Sequence, residues 1–178
     1  NGTGPQISFT INGKPCIDSS ITFTSVILPS ANTTYWWDFG DGQKSTSTSN
    51  IIKHAYATTA TNRIVRHTAT ITGGCSPDTV QQTIPFIYAN PAAVPFTIAA
   101  DTLCIQKPVQ FAATALGVSR WNWNLGNSSS NQLPPFTYSY TRAGTFNVLL
   151  TITDANGCGS PASNNSITIA PNPTVSAG

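Results

Sequence analysis

The chain has 178 residues and a net charge of +2, and only 8% of its residues are charged, against about 25% in a typical soluble protein. The scattered lysines and arginines form no basic run, which argues against a nucleic-acid-binding surface. No apolar stretch approaches the roughly 18 residues of a membrane span. Glutamate and methionine are absent, whereas serine and threonine, which suit exposed strand faces, make up about a quarter of the chain. This composition is typical of an all-β extracellular protein.

The two halves of the chain repeat the same residue types with a nearly constant period of about 85 residues. Drift of a few residues in that period is what changes in loop length produce. The repeat predicts two homologous domains, residues 1–88 and 89–170, joined around Ala89-Asn90-Pro91, where proline cannot continue a central strand. The matched pairs are Cys16 and Cys104, Phe23 and Phe111, Trp37 and Trp123, Tyr56 and Tyr140, and Cys75 and Cys158.

Short alternating segments separated by turn residues run through both halves and predict strands. In the first half these are Ile7–Ile11, Ile21–Ile27, Tyr35–Phe39, Ile52–Tyr56, Ile64–Thr72 and Val80–Ile87, with a Ser/Thr-rich crossing at Ser45–Ser49. In the second half they are Val94–Ala99, Val109–Ala115, Arg120–Leu125, Phe136–Tyr140, Thr145–Thr153 and Ile167–Ile169. The spacing predicts two tandem immunoglobulin-like β-sandwiches of seven strands each, without a helix of any length.

One aromatic strand that enters a polar turn occurs in both halves. In the first half, Tyr35, Trp37 and Phe39 share one strand face and Trp36 and Asp38 share the other. The turn that follows, Gly40-Asp41-Gly42, combines glycines free to take positive φ with an aspartate that can accept hydrogen bonds from nearby N–H groups. A weaker copy, Trp121-Asn122-Trp123-Asn124-Leu125-Gly126-Asn127, stands in the second half.

Each half holds one cysteine before its second predicted strand and one just after its sixth. Four cysteines allow three connectivities, and the repeat favours the pairs Cys16–Cys75 and Cys104–Cys158 within the two domains. A zinc site is the competing interpretation. It is disfavoured because no Cys-x-x-Cys spacing or nearby histidine completes a ligand set.

The tryptophan motif and the residues after it resemble the signature of the polycystic kidney disease (PKD) domain. The first half lacks the Gly-Thr-Tyr/Phe segment of that family and has Ala60-Thr61-Asn62 instead, whereas the second half has Asn124 and Asn127 in place of both motif aspartates. The resemblance rests on Trp37-Asp38-Phe39-Gly40-Asp41-Gly42, His54-Ala55-Tyr56, Tyr138-Ser139-Tyr140, Ala143-Gly144-Thr145-Phe146, Val148–Thr153 and Asp154-Ala155-Asn156-Gly157-Cys158.

The resemblance implies a seven-strand β-sandwich that serves in extracellular proteins as a spacer or adhesion module. The pairing of an early cysteine with a late Asn-Gly-Cys is similar to that of PKD repeats in very long bacterial cell-surface proteins. Residues 171–178 resemble the segment that opens a further unit in such arrays. The sequence also begins at Asn1 without methionine or signal peptide. We therefore expect part of a longer secreted or cell-surface repeat protein, or a fibre subunit, whose partners are further units or neighbouring subunits.

Catalytic motifs are missing from the sequence: there is no Gly-x-Ser-x-Gly elbow, His-x-x-x-His pair or phosphate-binding loop. His54 is expected to make a structural hydrogen bond under the Gly40-Asp41-Gly42 turn. His67, taken to be opposite in phase to Val65, is expected to face solvent. A Ser-His-Asp arrangement is not excluded by residue types alone, but the chain is predicted not to be an enzyme.

Asp38 and Asp41 are the residues that could attract a Ca²⁺ ion, which takes six to eight oxygen ligands. Two carboxylates make an incomplete set, and the second half has none there, so we expect Asp41 to bind turn N–H groups and the chain to need no cofactor. Possible glycosylation acceptors are Asn32, Asn127 and Asn164 in the N-linked pattern, and Thr79 and Thr102 in a short O-linked motif.

Trp36 is the candidate partner contact, because alternation turns it away from the core. An outward tryptophan can anchor a partner or stack on a sugar ring, or it can be covered by its own neighbouring strand or domain. The leading hypothesis is a non-catalytic structural and adhesive module, a rigid spacer in a surface repeat protein. The alternative is an accessory carbohydrate-binding domain of a secreted hydrolase. The short, proline-containing joint is expected to act as a semi-rigid spacer in an elongated rod.

Overall fold

The computed structural model describes residues 7–27, 33–73, 78–100 and 103–173. The chain divides into two compact units, Asn1–Ala89 and Asn90–Gly178, close to the boundary that the repeat predicts. All regular elements in the described ranges are strands, so the all-β class is confirmed. These ranges contain no helix with the length and hydrophobicity to cross a membrane.

The first unit consists of seven strands in two antiparallel sheets. They are β1 (Phe9–Asn12), β2 (Ser20–Ser25), β3 (Thr33–Asp38), β4 (Lys44–Ser47), β5 (Ile51–Ala55), β6 (Ala60–Ile71) and β7 (Asp78–Ile87). One sheet has the order β1-β2-β5 and the other the order β4-β3-β6-β7. The Ser/Thr-rich crossing expected at Ser45–Ser49 is wrong in part, because β4 pairs there with β3 from Asp38–Lys44 to Tyr35–Ser47.

The second unit repeats this arrangement with seven further strands. They are β8 (Phe96–Ala99), β9 (Pro108–Ala113), β10 (Val118–Asn124), β11 (Ser129–Ser130), β12 (Phe136–Ser139), β13 (Gly144–Asp154) and β14 (Ser163–Ile169). Its sheets have the orders β12-β9-β8 and β11-β10-β13-β14. Both units therefore have the topology of an immunoglobulin-like sandwich, as the sequence predicts.

Strand alternation explains why each sandwich has a hydrophobic core. In β3, Tyr35 and Trp37 are fully buried, whereas Trp36 between them is only half-buried. In β10, Trp121 and Trp123 are buried around the half-buried Asn122. Side chains two residues apart on a strand point to the same face, so the aromatic residues of each half meet those of the opposite sheet. The first core contains Phe9, Phe23, Trp37, Phe39 and Tyr56, among others, and the second contains Val109, Phe111, Trp123, Tyr140 and Leu150.

The strand registers show which residues correspond between the two units. Trp37 lies opposite His67 in the first unit, and Trp123 lies opposite Leu150 in the second. His67 therefore corresponds to Leu150. The pairs Phe9–Ser25 and Phe96–Ala113 place Ser25 and Ala113 at corresponding positions in the same way.

Candidate functional site

The polar turn after β3 is held by its own side chains. Asp38 Oδ1 accepts a hydrogen bond from Gly40 N at 3.0 Å, and Asp41 Oδ1 accepts one from Gln43 N at 3.0 Å. His54 Nε2 donates to Asp41 Oδ2 at 2.7 Å, as expected from the sequence. Burial alone would raise the pKa of Asp41, but the hydrogen bonds from His54 and Gln43 outweigh it and lower the pKa. His54 is thus a structural residue of the turn.

A buried tyrosine ties the same turn to the core in each unit. Tyr56 Oη donates to Phe39 O at 2.9 Å, and Tyr140 Oη donates to Leu125 O at 3.0 Å. Burial raises the pKa of Tyr56, and it raises the pKa of Tyr140 to about 12. Both hydroxyls therefore stay protonated donors at neutral pH.

The second unit builds the turn with neutral groups. Asn124 Oδ1 accepts from Gly126 N at 2.9 Å, which reproduces the bond of Asp38. Tyr138 Oη donates to Asn127 Oδ1 at 3.2 Å, in the place of the His54–Asp41 pair. The departures from the PKD motif that the sequence shows are thus compensated within the turn.

Two glycines of these turns are required by their surroundings. Gly40 has φ of +77°, and a Cβ atom there would lie 2.5 Å from Ile64 O. Gly126 has φ of +86°, and its Cβ would lie 3.0 Å from Phe146 Cβ. Each turn therefore packs directly on the sixth strand of its unit.

The turn is poorly suited to a metal ion. Each carboxylate oxygen of Asp41 already accepts a hydrogen bond, and Asp38 Oδ2 lies 3.9 Å from Lys44 Nζ. The described residues contain no group of three or more His, Cys, Asp or Glu side chains that could hold a metal. Independence from Ca²⁺ stays a prediction.

His67 is fully buried, which corrects the expectation that it faces solvent. Val65 and His67 are two residues apart and so share a face of β6; the opposite phase assumed for them was wrong. The imidazole stacks on Trp37 with ring centroids 3.9 Å apart. Its Nδ1 donates to Trp36 O at 3.1 Å, so Nε2 accepts from Ser25 Oγ at 3.0 Å.

The Ser25–His67 pair resembles part of a nucleophile–base arrangement, but substrate cannot approach it. Ser25 is 1% exposed and His67 is 0% exposed. The group that orients Nδ1 is a backbone carbonyl, and a serine sealed in the core cannot attack a substrate. The pair therefore joins the two sheets of the first unit through a buried hydrogen bond.

Trp36 lies on the outer face of the sheet β4-β3-β6-β7, as alternation predicts. It is half-buried, pairs with Thr46 of β4 and Thr68 of β6, and has Lys44 Nζ 5.7 Å from its ring centroid. Paired residues of neighbouring strands share a face. We call the following side chains the Trp36 face: Thr34, Trp36, Asp38, Lys44, Thr46, Arg66, Thr68, Thr70, Thr79 and Gln81.

The sequence places Trp36 and Asp38 on this face, but the residues that β4 contributes beside them were not predicted. The missing signal was β4, which was interpreted as a crossing and so left Lys44 and Thr46 without a position beside the tryptophan. In the second unit, Asn122 stands at the corresponding place beside a shallow depression of about 340 Å³. Its lining includes Asn124, Ser129, Asn131 and Thr151.

The possible glycosylation acceptors lie at different kinds of position. Asn127 is exposed in the turn after β10, Asn164 is exposed on β14, and Thr79 is exposed on β7. Asn32 and Thr102 lie outside the described residues. Modification of any of the five stays a prediction.

The predicted Cys104–Cys158 disulfide is absent, because Cys104 is a free thiol. Cys104 pairs with Ala170, next to the Ile169–Gly144 pair at the start of β13, whereas Cys158 O accepts from Asp154 N at the end of β13. Eleven residues of strand span about 33 Å at 3.2–3.4 Å each, and a disulfide needs Cα atoms within about 7 Å. The repeat located the cysteines correctly but does not encode this distance.

Cys16 and Cys158 are each disulfide-bonded. Cys75 lies outside the described residues, so the pairing predicted for it is not described. Cys16 occupies the place of Cys104, since it pairs with Tyr88 as Cys104 pairs with Ala170.

The fold and the turn together define an immunoglobulin-like β-sandwich module. Residues 88–169 match the family model of the PKD domain. The match covers nearly the whole of the second unit, and the resemblance found in the sequence is confirmed there. The first unit shares its topology and its tyrosine-locked turn.

Several solved structures are similar to this chain. The PKD1 domain of the Vibrio cholerae metalloprotease PrtV is 27% identical, covers 45% of this chain and 96% of its own, and gives a TM-score of 0.38. The fibronectin(III)-like modules of Clostridium thermocellum CbhA are 12% identical over 93% of this chain and 95% of theirs, with a TM-score of 0.49. Carbohydrate-binding modules of the β-sandwich superfamily are 13% identical over 96% of this chain and 86% of theirs, with a TM-score of 0.41. No curated protein matches the chain.

Proposed function

We propose that the chain is a non-catalytic extracellular module that acts as a rigid structural and adhesive spacer in a cell-surface repeat protein or fibre. The observation that carries this proposal is the duplicated turn, in which Tyr56 and Tyr140 make the same buried hydrogen bond to the end of the aromatic strand. Polar groups of both turns are used to hold the fold. A unit that is repeated with its turn intact is suited to extending a chain.

The chemistry of the described residues supports a non-catalytic role. The one Ser–His pair described above is buried in the core of the first unit. The carboxylates Asp38 and Asp41 are engaged by turn donors. An extracellular location is supported by the disulfide-bonded state of Cys16 and Cys158, because disulfides persist in oxidising compartments.

Small-angle scattering tests the spacer function directly. We expect an elongated particle with one well-defined maximum dimension, because the joint Ala89–Ala93 is short and contains Pro91. A control chain with Gly-Ser repeats in place of residues 89–93 should give a broader distribution of dimensions. A compact particle, or identical curves for the two chains, would contradict the rigid-spacer function.

A second candidate function is saccharide binding by the Trp36 face. The specific observation is a half-buried indole bordered by hydroxyl groups and by the cation Lys44, on the outer face of a sheet. Aromatic rings with nearby polar groups are suited to ligands that present one apolar and one polar side. Neutral polysaccharides have this character.

Binding to insoluble polysaccharides and to a glycan array tests this second function. Trp36→Ala should abolish retention, whereas Asn122→Ala, at the corresponding place in the second unit, should leave it unchanged. Equal retention of both variants would assign binding to another surface. Absence of binding by the unaltered chain to every glycan would leave only the spacer function.

A further inference from the structure

Cys104 stands at a position where the first unit has a bonded cysteine. Cys104 and Ala170 form a parallel bridge, with Ile105 N donating to Ala170 O at 3.1 Å and Ala170 N donating to Leu103 O at 2.7 Å. Around Cys16, Ile17 N donates to Tyr88 O at 2.9 Å and Tyr88 N donates to Pro15 O at 2.7 Å. The two cysteines are thus held by the same backbone pattern, yet Cys16 is disulfide-bonded and Cys104 is a free, half-buried thiol.

The later cysteine of the second unit is also in a disulfide. Cys158 is bonded, although the cysteine of its own unit is free. Cys158 lies in the turn after β13, where Asp154 Oδ1 accepts from Cys158 N at 2.8 Å and from Asn156 N at 2.9 Å. The turn therefore presents Cys158 in a fixed place at the end of the unit opposite to Cys104.

The second unit has its two cysteines at opposite ends and cannot close a disulfide on itself, but Cys104 can bond a cysteine that a following unit presents. We propose that Cys104 forms a disulfide with a cysteine of a following unit, at the place that Cys158 occupies in the second unit. The inference rests on the proposed function as a repeat protein. The junction after the second unit would then be crosslinked covalently in addition to the peptide joint.

The bond forms by thiol–disulfide exchange with a disulfide oxidant. Cys104 and its partner each lose a proton, and together they transfer two electrons to the oxidant. One protein disulfide forms while one oxidant disulfide is reduced to two thiols. Oxidised glutathione in a glutathione redox buffer supplies this chemistry in the test tube.

A chain of three units tests the proposal. It consists of residues 1–170 followed by a second copy of residues 89–178, so that the added unit joins after Ala170 as the second unit joins after the corresponding Tyr88. Cys104→Ser in the added copy leaves one Cys104 thiol to follow. After equilibration in a redox buffer of oxidised glutathione with excess reduced glutathione, which returns unpaired cysteines to free thiols, the intact chain is alkylated and digested, and the Cys104 peptide is quantified by mass spectrometry. The control is the same chain with Cys158→Ser in the added copy.

The expected result is alkylation of Cys104 in the unaltered two-unit chain, more than tenfold less alkylation in the three-unit chain, and recovery of alkylation in the control. An unchanged, alkylated Cys104 in the three-unit chain would overturn the proposal. So would protection that persists in the control, or a reducible Cys104–Cys104 dimer of the two-unit chain. None of these results would affect the spacer function, which the scattering experiment tests separately.

Discussion

The buried Ser25–His67 pair predicts that the first unit loses stability in mild acid. Burial lowers the pKa of His67, although the hydrogen bond to Trp36 O opposes this effect. The unfolded chain, with an ordinary histidine pKa of about 6.5, therefore binds a proton that the folded unit resists. The stability that neutral His67 contributes to the first unit is fully present when the pH is above the pKa of the unfolded chain's histidine. It falls as the pH drops below that pKa. The slope is at most about 1.36 kcal/mol per pH unit.

The second unit shows what replaces the pair, since Ala113 and Leu150 stand at the two positions. Ser25→Ala or His67→Leu alone leaves a buried partner without its hydrogen bond, at a cost of about 1–3 kcal/mol each. The double variant removes both polar side chains together. We expect its loss of stability to be about 0.5–3 kcal/mol smaller than the sum of the two single losses.

Hydrogen-exchange mass spectrometry of the intact chain measures these effects unit by unit. Peptides of β6 report on the first unit and peptides of β13 serve as an internal control, because both histidines of the chain lie in the first unit. His54 is present in every variant, so differences between variants isolate His67. Equal acid sensitivity of the unaltered chain and the double variant would refute the reasoning. A double variant at least as unstable as the sum of the singles would also refute it.

Three further predictions concern the turn. Tyr56→Phe should cost about 1–3 kcal/mol by leaving Phe39 O unsatisfied, seen as an earlier melting transition of the first unit. Gly40→Ala should destabilise far more than Gly42→Ala, because a Cβ at Gly40 meets Ile64 O at 2.5 Å whereas Gly42 has open space around it; urea titration compares the two. Millimolar Ca²⁺ should leave the melting temperature unchanged, and a rise reversed by chelator would show that Asp41 takes part in a metal site.

Much of the fold is encoded in local patterns. Alternation in β3 places Tyr35 and Trp37 in the core, and the repeat transfers the assignment to Trp123. The strand β4 was missed because Lys44–Ser47 has no apolar alternation. It pairs at the edge of the sheet, where both of its faces are partly solvated, so hydrophobic pattern carries no signal there.

The sites were predicted less well, because they depend on distances between elements. The His54–Asp41 contact follows from a turn and a strand that the motif already associates. The burial of His67 followed equally from the sequence, once its phase with Val65 was correct. The free thiol of Cys104 did not follow from the sequence. The repeat shows which cysteines correspond, but it does not show that Cys104 and Cys158 lie at opposite ends of their unit.

Position 63, near the start of β6, shows how two different side chains can fill one place in the fold. The registers place Arg63 where the second unit has Phe146. Arg63 lies 5.9 Å from the ring of Tyr56 and donates to Gly40 O at 2.8 Å, whereas Phe146 stacks on Tyr140 at 4.3 Å. Each side chain therefore covers the tyrosine that locks the turn.

This equivalence makes Arg63→Phe a mild change and Arg63→Ala a severe one. Phenylalanine loses the charged hydrogen bond to Gly40 O, worth about 1.5–3 kcal/mol, but it regains ring stacking of about 0.5–1.5 kcal/mol. It also removes Arg63 Nε, which is buried without a hydrogen-bond partner among the described residues. Alanine loses the bond and the cover together. Chemical denaturation should rank the unaltered chain at or above Arg63→Phe, and both above Arg63→Ala. Equal stability of the two variants would mean that the Gly40 contact, and not cover of the tyrosine ring, is what the position requires.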